Sequence, residues 1–424
     1  PKDRSLGYWL TYLVGPGLFV CLADTDGASM VVAAQSGIRW GYCLLPLQLM
    51  LIPVLYLAQE LTVRLGVHTQ QGLTANIKQH FGCAAAWVAC VMLVVECAFA
   101  MVSEMKGISS VAELWGFTSA QGVILAAGII VLVILLFPYR KVEVIGVTLG
   151  SFELVFVVTM FMYHPSPLEV LKGSFTFHAS GSYMRLVAAN IGAVIMPWML
   201  FFQQSAIVAR KLRTEEDEVE ERLHTMIGSI VSQIVMIGIL VTLAAAGRRG
   251  DDLESVVDVV NALGPAIGLT TAKVVVSLGF FGGSMCAAFV VALAASWSVC
   301  EAAGWDGYNS LGVSPTTAPH FYACFLGLVT AGLVFLVVGN TDIVKLSIAV
   351  EMVGAVLLPF TVACLYVLAT GDFLPAKARV TGNHKRALAV IFPAICLVSI
   401  GTSLFGFGNE VQDLVTISTS AVTK

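Results

Sequence analysis

Apolar residues run through this chain in long blocks, not in the narrow stripes of water-facing helices. Eleven blocks approach the roughly 20-residue length that spans a bilayer as a helix. They fall near 8–37, 41–63, 84–105, 120–138, 143–162, 184–208, 223–246, 270–300, 319–338, 344–369 and 386–407. Polar connections of at most about twenty residues separate them, and none offers room for a separate soluble domain. This pattern predicts an all-α integral membrane protein, 1–424, as a single transmembrane domain. Two blocks are interrupted. The first breaks at DTDGAS (24–29), and the sixth reads AANIGAVIMPWMLFFQQSA (188–206), with Gly192 and Pro197 inside it. Proline removes a helix donor and clashes with the preceding turn, and glycine weakens the helix further. Blocks 1 and 6 each open a set of five. Interrupted segments at corresponding places in two halves point to a transporter with inverted repeats and a site at the bilayer midplane. Repeat one then covers about 8–162 and repeat two about 184–369, with an extra helix at about 386–407.

Composition agrees. Hydrophobic residues make up 58% of the 424 and charged residues only 12%, against about 25% charged in a soluble domain. Lysines and arginines set the orientation. With the N-terminus in the cytoplasm, the inner connections hold Lys2, Arg4, Arg64, Lys78, Arg140, Lys141, Arg210, Lys211, Arg213, Arg222, Lys377, Arg379, Lys385 and Arg386, which is 14 of the 23 basic residues. Eleven spans then put the C-terminus outside. The charged run RKLRTEEDEVEERL (210–223) reads as a solvated linker on the inner side, with gating contacts as the lesser alternative. Net charge is −4 and no basic patch carries interleaved aromatics, so nucleic acid is not expected as a partner. The ten cysteines form no C-x-x-C pair and read as small buried hydrophobes. No cleavable signal peptide is expected.

Carboxylates inside apolar segments carry the candidate chemistry, because a charge at bilayer depth is costly and faces the protein interior or water. Asp26 lies at the break in segment 1, beside Gly27, as a cation ligand or a structural cap. Asp24 shares its side only if the chain unwinds there, and otherwise serves as a supporting or vestibule carboxylate. Glu351 is a lone acid in segment 10, in SIAVEMVGAVLLPF (347–360). Met196 offers a soft sulfur immediately before Pro197. Glu96 and Glu104 in segment 3 and Glu153 in segment 5 are proton relays, helix–helix hydrogen bonds or vestibule charges. Glu104 is also close enough to Lys106 to lie at the membrane surface. No Ser/His/Asp or Cys/His grouping and no phosphate-cradling glycine loop is present, which argues against an enzyme and against nucleotide-driven transport.

These residues resemble a known family. GPGLFVCLADTDGAS (15–29), LAQELTVRLGVHTQQGLTANIKQHFG (57–82), EMKGISSVAELWG (104–116), AVIMPW (193–198) and EMVGAVLLPF (351–360) look like segments 1, 2, 3, 6 and 10 of the NRAMP divalent-metal transporters, in the same order. The resemblance implies a leucine-transporter-type fold and a metal site between broken helices 1 and 6. It places that family's aspartate on Asp26, its two carbonyl ligands on Ala23 and Ala193, its thioether on Met196 and a segment 10 glutamine on Glu351. The departures matter as much. The Asp-Pro-Gly-Asn motif is Asp26-Gly27-Ala28-Ser29 here, so Ser29 replaces an amide ligand. The histidine after Met-Pro is Trp198. The first acid of the proton pathway falls on Met101, although its partner falls on Glu104.

A second acid at Glu351 and the small Ser29 make a harder, roomier site, which suits a partly hydrated magnesium ion. The pattern resembles the NRAMP-related magnesium transporters, a branch that carries magnesium and manganese without evident proton coupling. Met196 keeps softer ions in play. Two alternatives stand beside uptake of magnesium and manganese by alternating access. One is a proton-coupled manganese or iron transporter of ordinary NRAMP type, favoured by Met196 and Glu104. The other is a sodium-coupled carrier of an organic solute on the same architecture. No cofactor is expected: the metal is the transported substrate, and the lipid bilayer is the other partner. The expected location is a prokaryotic plasma (inner) membrane, and the sequence leaves the oligomeric state open, a monomer included.

Overall fold

The computed structural model describes residues 15–247, 252–305, 315–339 and 342–422, with side chains described to residue 405. Residues 8–14 of the first expected segment, and Lys2 and Arg4, lie outside the described residues. In chain order the helices are α1 (Pro16–Ala23), α2 (Gly27–Trp40), α3 (Leu45–Thr69), α4 (Leu73–Phe81), α5 (Cys83–Leu114), α6 (Ser119–Leu136), α7 (Tyr139–Gly150) and, after a 3₁₀ turn at Ser151–Leu154, α8 (Val155–Met162). There follow α9 (Pro167–Ser174), α10 (Gly181–Gly192), α11 (Pro197–Arg210), α12 (Glu215–Ala245), α13 (Val256–Ile267), α14 (Leu269–Ala303), α15 (Pro319–Val338), α16 (Ile343–Thr370) and α17 (Gly382–Val422).

Among the described residues, ten helical spans are long and apolar enough to cross a membrane, and α1 with α2 makes an eleventh, bent by 50° at its break. The α10–α11 pair reads through as one span of 30 residues despite a four-residue interruption at 193–196. It is the most buried of the ten unbent spans, 94% over its most apolar window, whereas the α17 window is only 22% buried and presents its apolar residues outward. With no water in a bilayer core to bond the backbone, helices are the structures such blocks can form.

Three expectations are corrected. Segment 3 continues as α5 to Leu114, nine residues past the expected end, because Ser103, Glu104, Ser109 and Ser110 are buried among neighbouring helices. Segment 5 is not one regular helix: the 3₁₀ turn at Ser151–Leu154 divides it. The charged run 210–223 is a solvated linker only in part. Thr214 caps α12 through a capping box with Asp217, and the run is helical from Glu215. Glu218 and Glu221 turn inward and are buried, because each finds donors there. Glu221 accepts the Gly17 N–H at the start of α1. Glu218 pairs with His68 at 2.8 Å and Arg222 at 3.4 Å.

Candidate metal centre

Segments 1, 6 and 10 meet at Ser29. Asp26 caps α2: its Oδ1 accepts the Ser29 N–H at 2.7 Å. The Ser29 hydroxyl donates to the Ala193 carbonyl at 3.2 Å and lies 3.5 Å from Glu351 Oε1. Residues 322 positions apart thus share one buried point; Asp26, Ser29, Ala193, Met196 and Glu351 are all buried. The structure gives Asp26 the cap role through one oxygen while keeping its carboxylate at the break. Glycine is required next to this point, since a Cβ on Gly192 would overlap the Glu351 carbonyl.

Both breaks expose a carbonyl, by different devices. A helical continuation would pair the Ala193 carbonyl with the N–H four residues on. That residue is Pro197, which has none, and Ser29 takes up part of the vacancy. The Ala23 carbonyl would look to Gly27 in the same way. The Gly27 N–H is instead donated to Glu104 Oε2 at 3.0 Å, and no backbone bond to the Ala23 carbonyl occurs among the described residues. Freed carbonyls at helix breaks are the groups that coordinate cations in such transporters.

The remaining candidates separate. Asp24 turns to α12, where its Oδ2 lies 3.4 Å from Gln233 Nε2 while Oδ1 has no hydrogen-bond partner. Glu104 is fully buried beside Gly27 and Asp26, not at the membrane surface, and is the residue whose reach sequence spacing did not show. Trp198 is buried in α11. Met101 packs against Gly332 of α15, so that position is apolar in space as well as in sequence. Sequence reading missed the polar chain beneath the break. Cys21 Sγ donates to Gln59 Oε1 (3.0 Å), Thr62 to Gln203 (2.8 Å) and Gln203 to Thr225 (2.8 Å), which ties α1, α3, α11 and α12 together. It also missed Glu60, fully buried and paired with Arg64 (2.5 Å) and Arg222 (2.8 Å). Its sequence signals are its place as an acid inside the apolar block 41–63 and its i,i+4 spacing to Arg64.

Among the described residues, no ion pair involves Asp24, Asp26, Glu96, Glu104, Glu153 or Glu351. Nor do three His, Cys, Asp or Glu side chains gather as a closed metal cage there. Acids with freed carbonyls and no fixed counter-charge suit an ion that enters and leaves.

An all-helical membrane chain with two interrupted spans meeting over buried acids is built as a membrane transporter, not an enzyme. The chain belongs to the Nramp family, whose model, described as "Natural resistance-associated macrophage protein-like", matches residues 17–405. Among its relatives, the divalent metal cation transporter MntH of Staphylococcus saprophyticus is 25% identical over 416 residues, covering 91% of this chain and 89% of that one. The MntH of Listeria welshimeri is 24% identical over 389 residues, covering 88% and 84%. The manganese transporter of Eremococcus coleocola has the same fold, with TM-score 0.74 at 18% identity over 100% of this chain and 93% of that one. MhsT in complex with L-phenylalanine aligns at TM-score 0.58 and 13% identity over 91% and 98%. The leucine-transporter-type fold that the resemblance implied is therefore the fold observed.

Proposed function

We propose that the chain takes up divalent metal cations, magnesium and manganese, by alternating access and without a coupled proton. The N-terminus lies in the cytoplasm. The carrying observation is the meeting of Asp26, Ser29, the Ala193 carbonyl and Glu351 at one buried point. Asp26, Glu351, the carbonyls of Ala23 and Ala193, and Met196 hold the ion in this reading, with Ser29 leaving space for a retained water. Asp24 lies at the α12 side as a supporting charge. Two carboxylates and carbonyls make a hard site, and magnesium keeps water while bound by one or two carboxylates. Met196 keeps manganese a substrate. Met101 and Trp198 supply neither acid nor imidazole where the family's proton pathway has them. The membrane potential alone supplies about 4.6 kcal/mol per divalent ion at 100 mV.

Uptake into proteoliposomes loaded with a magnesium-sensitive dye tests this, with a pH dye in a parallel set. Magnesium influx without acidification is expected. Manganese influx with acidification and no magnesium signal would replace it with a proton-coupled manganese carrier, the reading favoured by Glu104 beside Asp26.

A further inference from the structure

The connection between segments 5 and 6 is short, yet its residues do not read as a water-facing loop. Pro167 opens α9 (Pro167–Ser174), where its missing N–H costs no hydrogen bond. Leu168, Leu171 and Phe175 recur at three and four residues and lie along one stripe of the helix. All three are exposed, by 58%, 58% and 83%, and Phe177 beyond them by 70%. Glu169 and Lys172 make a second, charged stripe beside the first. Val170 and Gly173 make the side that faces the protein. Val170 packs on the main core, and a Cβ on Gly173 would lie 3.0 Å from Tyr42 Cδ2.

The residues after α9 join the ends of both broken spans. His178 lies against Trp40, the last residue of α2, with 4.7 Å between ring centres. Trp40 meets Tyr183 of α10 edge-on at 5.3 Å, and Phe177 meets the same tyrosine at 5.5 Å. Tyr42 and Tyr183 are buried. One side of this segment is therefore committed to the ends of α2 and α10, and the apolar stripe faces away from them.

Two observations say what covers that stripe. Water-soluble surfaces seldom carry a contiguous patch of large apolar side chains, and four stand exposed here within 168–177. The stripe also continues the bilayer-facing surface. Val158, Phe161 and Met162 at the end of α8 are exposed, and only 163–166 separate them from α9, a link of at most about 18 Å when fully extended. A helix with an apolar stripe beside a charged one lies in the boundary between headgroups and acyl chains. One glutamate and one lysine on the charged stripe cancel, so the surface does not select lipid by charge.

We infer that α9 and the chain to Phe177 form a strap lying in one membrane interface, with phospholipid at the headgroup–acyl boundary as its partner. The strap fixes the end of α2 and the start of α10 to that interface, which is the outer one in the proposed orientation. With its far end held there, segment 1 yields at its break and not at Trp40.

The test is fluorescence of the full-length chain in phosphatidylcholine nanodiscs, with Leu171→Trp or Phe175→Trp added to the seven native tryptophans. The added emission is expected to be blue-shifted and quenched by about half or more by lipid brominated near the headgroup, and less by lipid brominated near the chain end. Glu169→Trp, on the charged stripe, is expected to be quenched less than about half as strongly; equal quenching overturns the orientation of the helix. Added emission that is red-shifted and unquenched leaves the stripe in water, and emission that is blue-shifted and unquenched places a second copy of the chain on it; either overturns the inference. The strap role has its own readout. Leu171→Asp is expected to raise amide hydrogen exchange at 38–43 by about tenfold while exchange in α14 stays unchanged. Unchanged exchange at 38–43 would show that the segment rests on the bilayer without holding α2, and the strap would be overturned.

Discussion

The break in the first span turns its axis by 50°, whereas the break between α10 and α11 leaves its halves within one continuous span. The bent break carries acids and relies on a neighbour: Glu104, from α5, removes the Gly27 donor from the Ala23 carbonyl. The straighter break relies on its own sequence, since Pro197 brings no donor to Ala193 at all. One carbonyl is freed by a contact and the other by covalent structure. A contact can be remade as helices move, so in the proposed cycle segment 1 is the break whose carbonyl can change partners. Segment 6 is a fixed wall, in keeping with its 94% burial.

Four changes break or sharpen that contrast. Asp26→Ala removes the proposed anionic ligand of the bent break, and metal uptake into proteoliposomes should fall by at least about a hundredfold; near-normal uptake would remove Asp26 from the site. Glu351→Gln tests the acid that both breaks share. Magnesium binding should weaken by roughly tenfold and manganese by less than about threefold, because magnesium depends more on charge. Equal losses in calorimetric titrations of the two ions would refute the hard-site argument. Pro197→Ala gives the fixed wall a donor. A restored hydrogen bond to the Ala193 carbonyl, worth about 0.5–1.5 kcal/mol, should weaken metal binding by about three- to tenfold. Unchanged affinity would mean that this carbonyl is not a ligand. Met196→Leu should have the smallest effect, about threefold on manganese and none on magnesium, read as competition between the two ions for uptake. A larger loss for magnesium would contradict it.

The two breaks are legible from local signals: carboxylates and glycine in an apolar run, and a proline in another. The release of the Ala193 carbonyl follows from sequence too, by counting back four residues from Pro197. The partners that complete the site are not legible. Glu104 reaches Gly27 across 77 positions, and Glu153 reaches Thr25 across 128; helical periodicity does not carry such distances. The run 210–223 misled for a different reason. Alternating charge resembles a solvated face, and nothing local shows that Glu221 meets a helix start 204 residues away.

That last contact has a kinetic meaning. The eight residues of α1 fall below the roughly 12–15 at which an isolated helix becomes even marginal in water. Its amino end is tethered by the Glu221 carboxylate, and its carboxyl end runs into the break. In the proposed orientation, opening the side on which α1 begins would mean letting go of that tether, and a stub this short would then be held wound by its packing alone. Unlatching and local melting become one event. Its frequency should be readable as amide hydrogen exchange at 17–23, a clock for the transport cycle that needs no metal to run.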